Sequence, residues 1–106
     1  MNVLFVCSRN RLRSPTAEAV FADHPGWDVA SAGLNHDADV PLTRELVQWA
    51  DAILVMEKAH RTRLASRFRA DLKGKRVICL EIPDRFRYMD PELVSLLERK
   101  VPALIR

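Results

Sequence analysis

The chain has only two cysteines, Cys7 and Cys79, among its 106 residues. That number excludes a disulfide framework, and neither thiol stands in a zinc-ligand spacing. No apolar run approaches the ~20 residues that a membrane helix requires. The first residues enter a strand pattern directly, without the basic, apolar and small-residue series of a secretory leader. Aromatic residues make up only 7% of the chain and do not alternate with the basic ones. The arginine-rich stretch Arg61, Arg63, Arg67 and Arg69 therefore reads as a solvated helix face, not a nucleic-acid surface. His24, His36 and His60 lie too far apart to form a ligand set, and each reads as a surface or helix-packing residue. Repeats, low-complexity segments and linkers are absent, and the length suits one domain over residues 1–106 with one core. What these absences leave is a cytoplasmic globular protein with reduced thiols, no metal, no cofactor, and neither a membrane nor a nucleic acid as partner. Composition leaves the oligomeric state open.

What is present is concentrated near the N-terminus. The apolar run Val3-Leu4-Phe5-Val6 leads into Cys7-Ser8-Arg9-Asn10-Arg11-Leu12-Arg13, and then into Ser14-Pro15-Thr16-Ala17-Glu18. This is a strand, a short loop and a helix start with proline in its first turn. Such a loop turns successive backbone N–H groups inward, and the helix start adds its own unpaired N–H groups and positive dipole end, so the natural ligand is an anion. The same setting stabilises a thiolate, the attacking form of cysteine. Arg13 offers a planar fork that can hold two oxygens of one tetrahedral anion, which lysine cannot do. The formal charge of +3 comes from 17 Lys and Arg against 14 Asp and Glu. Part of the excess sits in Arg9, Arg11 and Arg13, where it would steer an anionic substrate with a salt-sensitive on-rate.

Strands and helices alternate along the rest of the chain. Asn2 to Val6 reads as a buried strand, Pro15 to Ala22 as a helix, and Asp23 to Gly26 as a turn into a strand from Trp27 to Ser31. Gly33 permits a tight exit into a polar loop, Thr43 caps a helix from Arg44 to Ala50, and Ala52 to Val55 forms a third strand. A basic helix follows from Lys58 to Leu72, ended by Gly74; Arg76 to Glu81 is a fourth strand and Asp90 to Lys100 a last helix. The order predicts an α/β fold: a single-domain three-layer sandwich in which a four-stranded parallel sheet carries helices on both faces. Ligands of such sheets gather at the C-terminal strand ends, where both the loop at Cys7 and the loop from Ile82 to Met89 emerge.

The loop and its flanks resemble the low-molecular-weight protein tyrosine phosphatases, whose pattern is Cys-x5-Arg-Ser followed by proline. Asn10 falls where that family has a loop-bracing asparagine, Ser31-Ala32-Gly33 matches its Ser-Ala-Gly segment, and Ala50 to Met56 followed by His60 resembles its third strand and next helix. The resemblance spans nearly the whole chain. It implies a phosphatase in which Cys7 is the nucleophile and Arg13 the phosphate clamp. Ser8, Arg9, Asn10, Arg11, Leu12 and Ser14 would line the substrate, Ser14 also donating to the sulfur or capping the helix. The expected substrate is a phosphotyrosine-like or other aryl phosphate monoester, on a phosphorylated protein or a small aryl phosphate, hydrolysed through a cysteinyl-phosphate.

That chemistry needs a carboxylic acid to protonate the leaving oxygen. The family supplies an aspartate followed by proline and an aromatic residue. This chain instead has Pro83-Asp84-Arg85-Phe86 and then Tyr88-Met89-Asp90-Pro91. Asp84, just after the fourth strand with Phe86 and Tyr88 to wall a pocket, is the expected acid. Asp90, which also reads as a helix N-cap before Pro91, is the reserve. The chain departs from the family at Arg9 (commonly glycine), at Arg11 (near a hydrophobic residue) and at Leu12 (in many members a second cysteine). Two further readings stay open: a phosphate-binding adaptor without turnover, and a thiol-linked arsenate reductase. The reductase needs resolving thiols, and Cys79 reads as a buried core thiol.

Overall fold

A computed structural model describes residues 1–105. Strands β1 (Asn2–Cys7), β2 (Asp28–Gly33), β3 (Ala52–Val55) and β4 (Arg76–Cys79) form one parallel sheet in the order β2-β1-β3-β4. The registers pair Cys7 with Gly33, Val6 with Val55, and Val55 with Cys79. Helices α1 (Arg13–Val20) and α4 (Pro91–Leu104) cover one face, α2 (Arg44–Trp49) and α3 (Lys58–Phe68) the other, giving the three layers expected.

Because β1 is covered on both faces, its residues from Val3 to Val6 are all apolar and fully buried, the mark of a central parallel strand. Alternate side chains feed different cores. Val3, Phe5 and Cys7 join Phe21, Leu93, Leu97 and Val101 on one side. Leu4 and Val6 join Val47, Leu64 and Phe68 on the other. Phe5 stacks on Phe21 with ring centroids 5.9 Å apart. Burying a side chain of that size contributes about 1.5–3 kcal/mol.

The differences from the sequence reading lie at element ends. α1 begins at Arg13, two residues before Pro15, which then occupies its first turn. Strand β4 stops at Cys79, because Glu81 adopts a left-handed conformation (φ 54°) that turns the chain away from the sheet. Residues Arg69–Leu72 tighten into a 3₁₀ turn after α3. α4 runs on to Leu104, since Val101 still faces the core. Cys79 is only half-buried on edge strand β4, not a core thiol.

The strand order reverses at β1 and β3: from β1 the chain moves outward to β2, and from β3 outward to β4. The crevice at the C-terminal ends of β1 and β3 is where such folds place their ligands. Cys7 ends β1, and Met56-Glu57 follow β3. No helix among the described residues is long and apolar enough to cross a membrane.

Candidate active site

The loop from Ser8 to Leu12 curls between β1 and α1, and its shape is held from outside. The carbonyls of Cys7, Ser8 and Arg9 accept hydrogen bonds from the N–H groups of Leu34, Asn35 and Asp39 at 2.9, 2.9 and 3.1 Å. With the carbonyls drawn outward, the loop's own N–H groups are left to face inward, a nest for an anion. Gly33 makes this backing possible. A Cβ there would lie 2.6 Å from the Ser8 carbonyl oxygen and 2.5 Å from the Ala38 Cβ, so no side chain fits between β2 and the loop. Helix α1 has Leu12 at its N-cap and receives no side-chain cap, leaving its first N–H groups for a ligand.

Cys7 is buried at the base of this loop. Its Sγ lies 2.9 Å from the Ser14 Oγ and receives the Asn10 N–H at 3.3 Å. Asn10 Nδ2 donates to both Ser14 Oγ and Ser31 Oγ at 2.9 Å, which leaves the Ser14 hydroxyl proton free to point at the sulfur. Ser31 in turn donates to the Glu18 carboxylate. The result is a relay from Glu18 through Ser31, Asn10 and Ser14 to Cys7, with donors that stabilise negative charge on sulfur. Ser14 is therefore committed to the thiol side and does not cap α1. Asn10 takes the left-handed conformation (φ 56°) that this turn demands, which asparagine tolerates.

Arg13 is 4% exposed. Its Nη1 donates to the Ile82 carbonyl and meets Glu57 Oε2, both at 2.7 Å. Nη1 is thus hydrogen-bonded to Ile82 and ion-paired with Glu57, and the Nε and Nη2 side of the guanidinium can serve as a fork for two phosphate oxygens. Asp84 Oδ1 lies 3.8 Å from Arg13 Nε. Cys7, Ser8, Arg9, Arg11, Leu12, Arg13 and Asp84 line a single pocket of about 380 Å³. Arg11 pairs with Asp39 at 3.2 Å, whereas Arg9 makes no ion pair among the described residues.

Two expectations change, at the pocket walls and at Asp90. Phe86 and Tyr88 do not wall the pocket: Phe86 is buried in the core beneath α4, and Tyr88 is half exposed elsewhere. Asp90 accepts the Glu92 N–H at 2.9 Å and caps α4, so it is not in the pocket. His36 lines a neighbouring hollow with Asn35, Asp37, Arg63 and Arg67. Arg63 and Arg67 donate to the Asn35 Oδ1 (2.8 Å) and the Leu34 carbonyl (2.6 Å), so the basic helix face also steadies the segment that backs the loop. Cys79 packs on the α2–α3 side and Cys7 on the α1–α4 side, with the sheet between them. In that position Cys79 cannot resolve Cys7, and arsenate reduction would depend on an external thiol.

Sequence reasoning missed Glu57, Thr16 and the placement of His60. Thr16 Oγ1 donates to the Leu12 carbonyl at 2.6 Å and accepts the Met89 N–H at 2.9 Å, joining α1 to the end of the loop that carries Asp84. His60 is buried, and its Nε2 lies 3.1 Å from Ser8 Oγ. Glu57 follows directly on β3 at the reversal of strand order, and that position is the signal that would have marked it. No cluster of His, Cys, Asp or Glu among the described residues has the arrangement of a metal site.

No family model matches the chain. A protein-arginine-phosphatase of Bacillus subtilis is 35% identical over 96 aligned positions, covering 64% of this chain and 63% of that protein. Among solved structures, a protein tyrosine phosphatase is 32% identical, with a TM-score of 0.75 over 96% of this chain and 91% of its own. The arginine phosphatase YwlE, as a variant with a phosphorylated active-site serine, is 28% identical, with a TM-score of 0.73 over 98% of this chain and 95% of its own.

Proposed function

The chain belongs to the low-molecular-weight protein tyrosine phosphatase family, and from that premise we propose that it is a cysteine-dependent phosphatase acting on phosphorylated protein side chains. One observation carries the proposal. The sulfur of Cys7 receives hydrogen bonds at the base of an inward-facing amide loop, in one pocket with the guanidinium of Arg13 and the exposed carboxylate of Asp84.

In this reading the Cys7 thiolate attacks phosphorus, an S–P bond forms and the bond to the leaving atom breaks. Asp84 gives its proton to the leaving group. The loop amides and Arg13 hold the equatorial oxygens and bind most strongly as charge builds on them. The Asp84 carboxylate then takes a proton from water, whose oxygen attacks phosphorus while the S–P bond breaks. Ser14 and the Asn10 N–H stabilise the departing thiolate. Ser8, Arg9, Arg11 and Leu12 border the substrate. A thiolate nucleophile requires a reducing compartment, which supports a cytoplasmic setting.

An aryl phosphate, foremost phosphotyrosine, is the leading substrate. Phosphoarginine is the second reading, favoured by the lack of any aromatic side chain lining the pocket among the described residues and by the likeness to an arginine phosphatase. Hydrolysis of matched phosphotyrosine and phosphoarginine peptides decides between them, with Cys7→Ser as control. The variant is expected to lose several powers of ten in kcat while still binding inorganic phosphate. Turnover surviving in Cys7→Ser would sink the mechanism; phosphate binding by wild type without turnover on either peptide would make the protein an adaptor.

A further inference from the structure

The mechanism leaves the buried imidazole of His60 unused. His60, in the first turn of α3, is 3% exposed, yet both ring nitrogens are engaged. Nδ1 accepts the Glu57 N–H at 3.1 Å. In the neutral ring the proton is then on Nε2, which donates to Ser8 Oγ at 3.1 Å and lies 3.7 Å from Glu57 Oε2. Ser8 is the first residue after the nucleophile, and Glu57 is the carboxylate that holds Arg13. The two halves of the phosphate site, one leaving β1 and the other following β3, therefore meet on one imidazole.

We propose that His60 is a positioning residue for phosphate, setting the phosphate loop and the Arg13 clamp at a fixed distance through its Nε2–H tautomer. The inference rests on the phosphatase reading for its kinetic consequence but not for its effect on anion binding. A helix-capping residue alone would need only Nδ1; the second contact, to the loop, belongs to the site. Burial, the first cause, and Arg13 keep the ring from charging, and Arg63 acts in the same sense, while Glu57 and Asp84 oppose them. The neutral tautomer that both contacts require is thereby favoured.

His60→Asn separates the two roles, because the shorter side chain can still accept the Glu57 N–H but cannot reach Ser8. The expected result for the full chain is a kcat for an aryl phosphate lower by on the order of tenfold, with KM changed less than kcat, and weaker binding of inorganic phosphate by a variant that is still folded under the assay conditions. Ser8→Ala, which leaves the α3 cap intact, is expected to show the same loss, and the double variant no additional loss. Wild-type kcat and phosphate affinity in Ser8→Ala, or in a folded His60→Asn, would overturn the proposal. If wild type itself turns nothing over, the phosphatase reading fails. Calorimetric titration of inorganic phosphate into wild type and both variants then still decides the role of His60.

Discussion

The two loops that meet over the pocket are built differently. The loop from Ser8 to Leu12 is braced on every side: its carbonyls by the segment from Leu34 to Asp39, its sulfur by Ser14 and Asn10, its guanidinium neighbour by Glu57 and Ile82. The loop from Ile82 to Met89 is pinned mainly at its ends. Lys100 Nζ holds the Leu80 carbonyl at 2.9 Å, Arg13 holds that of Ile82, and Thr16 holds the Met89 N–H, with Phe86 anchored in the core. Between these anchors Asp84 is two-thirds exposed. Oxyanion binding depends on donors fixed before substrate arrives, so that half is preorganised. In the proposed mechanism, proton delivery needs a carboxylate in reach of water as well as of the leaving atom, and the exposure of Asp84 suits that role.

The largest test of this contrast is Asp84→Asn. It should lower kcat about 10²-fold for an unactivated aryl phosphate, and far less for one with a very acidic phenol, while leaving phosphate affinity within about twofold. An equal loss on both substrates would place Asp84 among the binding groups. Gly33→Ala attacks the braced half from behind. It is expected to cost about 2–3 kcal/mol by overpacking against the Ser8 carbonyl, and to weaken phosphate binding with it, measured by denaturant unfolding and titration. Asp90→Ala should cost about 1 kcal/mol of stability through loss of the α4 cap, with kcat unchanged.

The smallest expected effect is a pH dependence. His60 holds its proton less readily in the folded chain than the ordinary value of 6.5 implies, because of burial first and Arg13 second. The unfolded chain then binds the proton preferentially. Stability from this group is complete above about pH 6.5, falls as the pH drops, and levels off below the folded pKa. Melting temperatures of wild type and His60→Asn should therefore converge between about pH 7.5 and 5. Parallel curves would show that His60 stays charged or neutral alike in both states.

The braced half was also the legible half. A nucleophile, an arginine, an uncapped helix start and a turn asparagine stand consecutively from Cys7 to Ser14, because the demands on them are local. Ser31 and Gly33 were recognisable as a motif, although their partners were not. Glu57 and His60 belong to no consecutive motif, and only the place of Glu57 after a strand beside β1 in the sheet could have marked it. Phe86 misled for a related reason. An aromatic residue two positions after Asp84 looks like a pocket wall in one dimension, but the left-handed turn at Glu81 redirects the chain, and that ring lies in the core with the α4 side chains. Asp90 was already legible as a helix N-cap before Pro91, and the hydrogen bond it accepts from the Glu92 N–H shows it in that role.

The central position of β1 has a consequence for how the protein fails. With strands on both edges and helices on both faces, Leu4, Phe5 and Val6 belong to its most deeply buried backbone, and their amides are expected to exchange with solvent only through global opening. Cys7 follows directly on them and keeps its loop geometry until the whole fold is lost. A destabilising substitution in either core, however distant, should thus reduce the amount of competent protein while leaving each folded molecule at full rate.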